Sequence, residues 1–155
     1  MLNIKKTMGP YDFIGPKPEG DEMNRINKSL IKLANGDEYE GEWDDKGARD
    51  GFGTLYYVDG SIYEGNFKQG KCHGKGRMIY ADTNVYEGDW VENQSHGVGK
   101  FISRNEKGDI IYEGEWKNDK KEGKGKITFP DKAYYEGDFK NGVKHGKGLY
   151  VMADN

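Results

Sequence analysis

Tyr39-Glu40-Gly41-Glu42-Trp43 is a phrase that the chain repeats as Tyr63-Glu64-Gly65-Asn66-Phe67, Tyr86-Glu87-Gly88-Asp89-Trp90, Tyr112-Glu113-Gly114-Glu115-Trp116 and Tyr135-Glu136-Gly137-Asp138-Phe139. Its tyrosines stand 24, 23, 26 and 23 residues apart. A self-similar period in this range identifies an array of units that stack on their neighbours and do not fold alone. Nine or ten residues after the glycine of each phrase comes Gly-x-Gly: Gly51/Gly53, Gly74/Gly76, Gly97/Gly99, Gly123/Gly125 and Gly146/Gly148. The two phrases hold 15 of the 24 glycines. Glycine at fixed places in a repeat answers a backbone need, which separates this chain from flexible low-complexity sequence.

The two-residue period of a strand puts Tyr, Gly and Trp/Phe of each first phrase on one face and its acids, such as Glu87/Asp89 and Glu113/Glu115, on the other. In the second phrase both glycines are expected on the face of Leu55, Met78, Phe101, Ile127 and Tyr150, a row that Tyr57, Tyr80 and Phe129 extend. The missing side chains leave room there for rings from neighbouring strands. Asn141-Gly142 and Gln69-Gly70 are placed to turn hairpins, and Asp59-Gly60 and Lys107-Gly108 to join repeats. The long exit Arg104–Asp109 and the extra residue in Asp44–Arg49 are expected to be loops.

The unit Y-E-G-[acid]-[W/F], followed by [H/D/E]-G-x-G, resembles the MORN (membrane occupation and recognition nexus) repeat. Five copies and a leading half copy, in which Ser29–Leu33 and Asn35-Gly36 match the second half of a unit, cover residues 29–152. The resemblance implies an all-β rod of consecutive hairpins, acting in targeting or assembly, and does not imply an enzyme. Similar repeats occur in ciliary radial-spoke heads, apicomplexan cytoskeletal rings, junctophilins and plant phosphatidylinositol phosphate kinases. The expected architecture is an open single-layer antiparallel ribbon of about eleven strands, on the order of 50 Å long at ~4.8 Å per strand. Its twist should give a groove along the aromatic face. Residues 1–28 hold three of the four prolines and read as an extended arm, with Tyr11–Ile14 as its apolar foothold; it either docks or stays an unstructured tail. Residues 153–155 form a short tail.

With 155 residues, 34% hydrophobic and 33% charged, the chain has room for one domain but few aliphatics to fill a two-layer core. The 11 tyrosines and 3 tryptophans suit a single sheet, since they bury large areas while keeping a polar edge. A formal charge of −3 argues against nucleic acid as the main partner. The lone Cys72, and a beginning without an apolar leader core, lead us to expect a reducing, cytoplasmic setting, with the cytoskeletal, ciliary or membrane associations that the resemblance implies.

Sites for chemistry are weak. His73, His96 and His145 share the slot before Gly-x-Gly, and a repeat's width of roughly 10 Å between them is too far to share a metal. Asp50 and Glu122 fill the same slot, which reads as a hydrogen-bonding position. Gly65–Cys72 approaches a phosphate-binding loop but lacks the hydroxyl and the following helix that make one work. Asn27-Lys28-Ser29 and Asn93-Gln94-Ser95 match the glycosylation pattern, but without a secretory leader they are not expected to be modified. No catalytic residues, cofactor or metal are expected.

Three surfaces remain. The aromatic row Tyr39, Trp43, Tyr63, Phe67, Tyr86, Trp90, Tyr112, Trp116, Tyr135 and Phe139 is the sheet's own core in one reading and in part an open binding groove in the other. A basic patch, Lys117, Lys120, Lys121, Lys124, Lys126, Lys132, Lys140, Lys144 and Lys147, sets nine lysines against five acids between Trp116 and Gly148. It either pairs with acids on adjacent strands or meets an acidic partner or phosphoinositide. Third is the last strand, where Leu149 and Val151 put aliphatic groups on an otherwise polar face, with Tyr150 between them. This edge is expected to dock a second copy across a two-fold axis or a different subunit. The expected function is a non-catalytic interaction scaffold, with a phosphoinositide tether or a regulatory subunit of an enzyme on another chain as alternatives.

Overall fold

The computed structural model describes residues 24–153. The readings placed on Tyr11–Ile14 and on the last two residues of the tail lie outside them. Eleven strands follow one another: β1 (Ile26–Lys32), β2 (Glu38–Trp43), β3 (Arg49–Tyr56), β4 (Ile62–Lys68), β5 (Lys71–Ile79), β6 (Val85–Val91), β7 (Gln94–Asn105), β8 (Gly108–Lys117), β9 (Lys120–Thr128), β10 (Tyr134–Lys140) and β11 (Val143–Val151). Their order in the sheet is their order in the chain, every pairing is antiparallel, and β1 and β11 are the two free edges. The ribbon is therefore open and all-β, with its first strand starting at Ile26.

The strands fall into two alternating kinds. Leading strands (β2, β4, β6, β8, β10) carry Tyr-Glu-Gly, and following strands (β3, β5, β7, β9, β11) carry Gly-x-Gly. Register ties them through glycine: Gly41 faces Gly53, Gly53 faces Gly65, and the row runs on through Gly76, Gly88, Gly99, Gly114, Gly125 and Gly137 to Gly148. Ten strands thus share one stripe without side chains. Each tyrosine of a leading strand lies across it, against the second glycine of the next strand: Tyr39 on Gly53, Tyr63 on Gly76, Tyr86 on Gly99, Tyr112 on Gly125 and Tyr135 on Gly148. The phenol bends back to donate to the carbonyl three residues on, as from Tyr63 to Asn66 (2.9 Å) and from Tyr112 to Glu115 (2.9 Å).

The first glycine of each pair behaves differently from expectation. Gly51, Gly74, Gly97, Gly123 and Gly146 all have positive φ, between 61° and 103°. All five hairpins shift register here through a bulge. A bulge breaks the two-residue alternation, so these glycines point to the other face, towards Glu42, Asn66, Asp89, Glu115 and Asp138. The acids among these explain their place in the repeat. Asp89 accepts from the Val98 N–H (2.9 Å), Glu115 from Lys124 (3.0 Å) and Asp138 from Lys147 (3.2 Å), each satisfying an amide freed by the bulge.

Hairpin turns take φ > 0 at both central residues, Gln69/Gly70, Glu92/Asn93, Asn118/Asp119 and Asn141/Gly142, which matches the twist of the flanking strands. The turn amides brace the preceding hairpin, with Gly70 donating to Arg49, Asn93 to Cys72, Asp119 to Ser95 and Gly142 to Lys121. Between repeats, Gly36, Gly60, Thr83 and Lys132 take the left-handed position. The insertion after Trp43 is a loop over residues 44–48, capped by the Asp44 carboxylate, and Arg49 already opens β3. The exit of repeat three is not a loop: Ser103↔Ile110, Arg104↔Asp109 and Asn105↔Gly108 continue the ladder, because Ile102, Ile110 and Ile111 extend strand-forming sequence to the turn.

Candidate functional site

The ten rings form one unbroken ladder along the sheet. In order, Trp43, Tyr39, Phe67, Tyr63, Trp90, Tyr86, Trp116, Tyr112, Phe139 and Tyr135 meet edge to face with centroids 5.1–5.6 Å apart. This spacing and angle suit the ring quadrupoles. Each interior tyrosine is held between the Trp or Phe of its own strand and that of the next repeat. The indole N–H of Trp90 donates to Gly76 O and that of Trp116 to Gly99 O, both at 3.1 Å. The buried Nε1 of Trp43 has no hydrogen-bond partner.

Eight of the ten rings are buried, from 0% exposure at Tyr39, Tyr63 and Phe67 to 9% at Trp116. The expected aromatic groove is thus closed. The tyrosines sink into the glycine stripe, and Leu55, Met78, Tyr57, Tyr80, Phe101 and Ile127 pack beside them. Only Trp43 and Tyr135, the rings at the two ends, are partly open. Burial raises the tyrosine pKa values, to about 12 for Tyr112 and for Tyr80, and pushes the buried Cys72 thiol up to about 12.

The opposite face is less uniformly acidic than its sequence suggests. Ile62, Ile79 and Val85 form a second buried cluster with Tyr56 and Ile102. Beside it, Arg77 pairs with Glu64 at 2.6 Å, both almost fully buried. Alternation alone gave no sign of this pair, because Glu64 has the same place as the exposed Glu87.

The lysine-rich segment does not assemble as one patch. Lys121 and Lys144 lie over Tyr112 (4.8 Å) and Tyr135 (4.4 Å) on the aromatic face. Desolvation, then Lys144, lowers the pKa of Lys121. Lys124 and Lys126 lie on the other face, where Lys124 holds Asp138 at 2.5 Å and Lys126 stacks on Tyr134 at 3.9 Å. Lys124 and the Lys147 amide hold the Asp138 carboxyl below the usual carboxylate range. Lys117, Lys120 and Lys140 flank hairpin turns, and Lys132 sits in an inter-repeat turn. The residues are neighbours in sequence, but alternation and turns send them apart.

The polar slot before Gly-x-Gly does make hydrogen bonds: Asp50 accepts from the Gln69 amide and from Arg25, and Glu122 from the Asn141 amide. His96 keeps a buried Nδ1 without a partner. No group of three His, Cys, Asp or Glu side chains gathers as metal ligands among the described residues, nor is any helix there long and apolar enough to cross a membrane.

β11 is one of the two free edges of the array. Every residue from Val143 to Tyr150 is exposed, with Leu149 at 60% and Tyr150 at 50%. On the face opposite the rings, a groove of about 740 Å³ follows the glycine stripe to this edge between Lys124, Lys126, Lys147, Glu113, Glu136 and Leu149.

Stacked hairpins, a shared glycine stripe and a ring ladder define a tandem β-hairpin repeat protein. The MORN repeat matches residues 39–62, 63–85, 86–106, 112–134 and 135–155, and the chain belongs to the MORN-repeat family. MORN repeats are generally associated with protein or membrane-lipid interaction and are typically non-catalytic modules. No curated protein matches the chain.

Proposed function

We propose that this protein is a non-catalytic scaffold that positions a protein partner in a cytoplasmic or cytoskeletal assembly, with β11 as its docking edge. The exposure of β11 carries this reading: an unpaired strand presents a row of free backbone donors and acceptors, which invites strand addition. Burial of the ring ladder removes the competing aromatic groove, and the split of the lysines between two faces weakens the lipid reading. Affinity purification from native lysate, comparing wild type with a Leu149→Lys/Val151→Lys variant, tests it. The expected outcome is loss of the co-purifying chain from the variant. Undiminished recovery would overturn β11 as the docking site, and pelleting with phosphoinositide vesicles but not neutral ones would favour the tether.

A further inference from the structure

The strands already joined within the array specify what the edge at β11 would accept. At every interior junction a following strand receives the next leading strand in one register. The incoming glycine faces the second glycine of Gly-x-Gly, as Gly88 faces Gly76. The incoming Trp or Phe faces the first, as in Gly51↔Phe67, Gly74↔Trp90 and Gly97↔Trp116. That ring closes the ladder on the previous repeat's tyrosine: Phe67 on Tyr39, Trp90 on Tyr63, Trp116 on Tyr86 and Phe139 on Tyr112, at 5.1–5.3 Å. The acid before it faces the lysine inside Gly-x-Gly, and both such pairs, Lys75–Asp89 and Lys124–Asp138, close at 2.5 Å.

At β11 each of these places is present and unfilled within the sheet. Tyr135 meets Phe139 of its own strand and is half-buried, where the other four tyrosines are sealed on both sides. Lys147 stands between Gly146 and Gly148, as Lys75 and Lys124 do between theirs. One place differs. Lys100 is flanked across the ladder by Glu87 and Glu113, and Lys126 by Glu113 and Glu136. Leu149 stands where β5, β7 and β9 carry a cation and β3 carries the hydroxyl of Thr54, so an incoming glutamate would find a leucine and the existing Glu136 instead of a positive or polar group.

Building on the reading of β11 as a docking edge, we infer that its occupant is an extended segment of a different protein that reads aromatic, apolar, Gly, acid, aromatic and adds antiparallel to β11. Among its described residues, a second copy of this chain offers no strand that fits. All its leading strands carry Glu before Gly and are already paired on both sides. Its free edges among the described residues are β1, which has neither acid nor aromatic residue, and β11, which has no acid to meet Lys147.

A labelled peptide of residues 109–118 carrying Glu113→Leu supplies the inferred pattern, and fluorescence anisotropy with the full chain measures its binding. Binding with slowed amide exchange in β11 is expected. Either Trp116→Ala or Glu115→Lys in the peptide should weaken it by about tenfold or more. In the protein, Lys147→Glu alters an exposed side chain and should leave the melting temperature in place while weakening the Glu115 peptide; affinity for the Glu115→Lys peptide should return. No binding at ~1 mM peptide, no rescue by the charge swap, or β11 amides already protected in a self-associated chain would overturn the inference. Binding of every peptide alike would overturn the partner chemistry yet keep β11 as a docking edge. Undiminished partner recovery by the Leu149→Lys/Val151→Lys variant would remove the edge itself.

Discussion

The Tyr63 ring lies directly on Gly76: a methyl group added there would stand 2.5 Å from Tyr63 Cζ and 2.6 Å from Cε2. The ring cannot retreat, because Phe67 and Trp90 hold it edge-on from either side. Gly76→Ala should therefore destabilise the protein by about 1–3 kcal/mol, and Gly76→Val by no less. Gly70 is the control. It meets nothing within 4 Å and has φ +81°, so Gly70→Ala carries only the backbone strain of about 1–2 kcal/mol. Denaturation midpoints followed by circular dichroism check both; an unchanged midpoint for Gly76→Ala would refute the ring-on-glycine contact.

Trp90 combines a ring contact with a hydrogen bond, and two substitutions separate them. Trp90→Phe keeps an aromatic ring, as Phe67 and Phe139 do in their own repeats, but loses the bond to Gly76 O. It should cost about 1 kcal/mol. Trp90→Ala opens a gap between Tyr63 and Tyr86 and should cost about 3–5 kcal/mol. Equal costs measured by equilibrium denaturation would mean that the ring contacts contribute little.

The repeat, the strand count and the ring-over-glycine packing were legible because period 2 and a period near 23 both survive in the residues that pack. What escaped depends on local departures from those periods. The bulge at Gly51 and its counterparts reverses the facing of one glycine in each pair, and nothing in Gly-x-Gly announces a positive φ at one glycine alone. Burial of Glu64 with Arg77, but exposure of Glu87, follows from what packs around each, which a repeat consensus averages away. The lysine cluster was contiguous in sequence and dispersed in space for the same reason: adjacent strand positions face opposite ways. The open aromatic groove was expected from a single sheet's inability to cover itself, yet tyrosines sunk into a glycine stripe cover each other.

Thr83 holds φ +73° in the turn after Tyr80, where Gly36 and Gly60 stand in the equivalent turns at +91° and +98°. A β-branched residue is disfavoured in this region, while glycine enters it freely. Its N–H donates to Tyr80 O at 2.9 Å, a bond that needs no side chain. Thr83→Gly should accordingly stabilise the protein by about 1 kcal/mol, against a strain of roughly 1–3 kcal/mol less glycine's greater entropy loss. A rise in melting temperature is the expected reading, and a fall would show that the Thr83 side chain contributes more than its backbone strain costs.

Stability should fail at alkaline pH before the backbone is otherwise stressed. Burial raises the phenol pKa of Tyr80 and Tyr112 from 10.0 to about 12, and shifts Tyr39, Tyr57 and Tyr86 upwards as well; the Cys72 thiol rises from 9.0 to about 12. A raised pKa means that the folded chain keeps protons that the unfolded chain releases. Between about pH 9 and pH 12 the unfolded state binds fewer protons, so the unfolding free energy falls as pH rises. The contribution is whole below about pH 9 and is lost as pH climbs through the folded values. Absorbance at the phenolate band during a pH titration should show these tyrosines ionising together, at the same pH at which the strand circular dichroism is lost. Cys72 should resist a thiol reagent until that point, since burial keeps both the thiolate fraction and access low. Ionisation of all the tyrosines near pH 10 with the sheet intact, or rapid labelling of Cys72 at neutral pH, would mean that the ring ladder is not sealed.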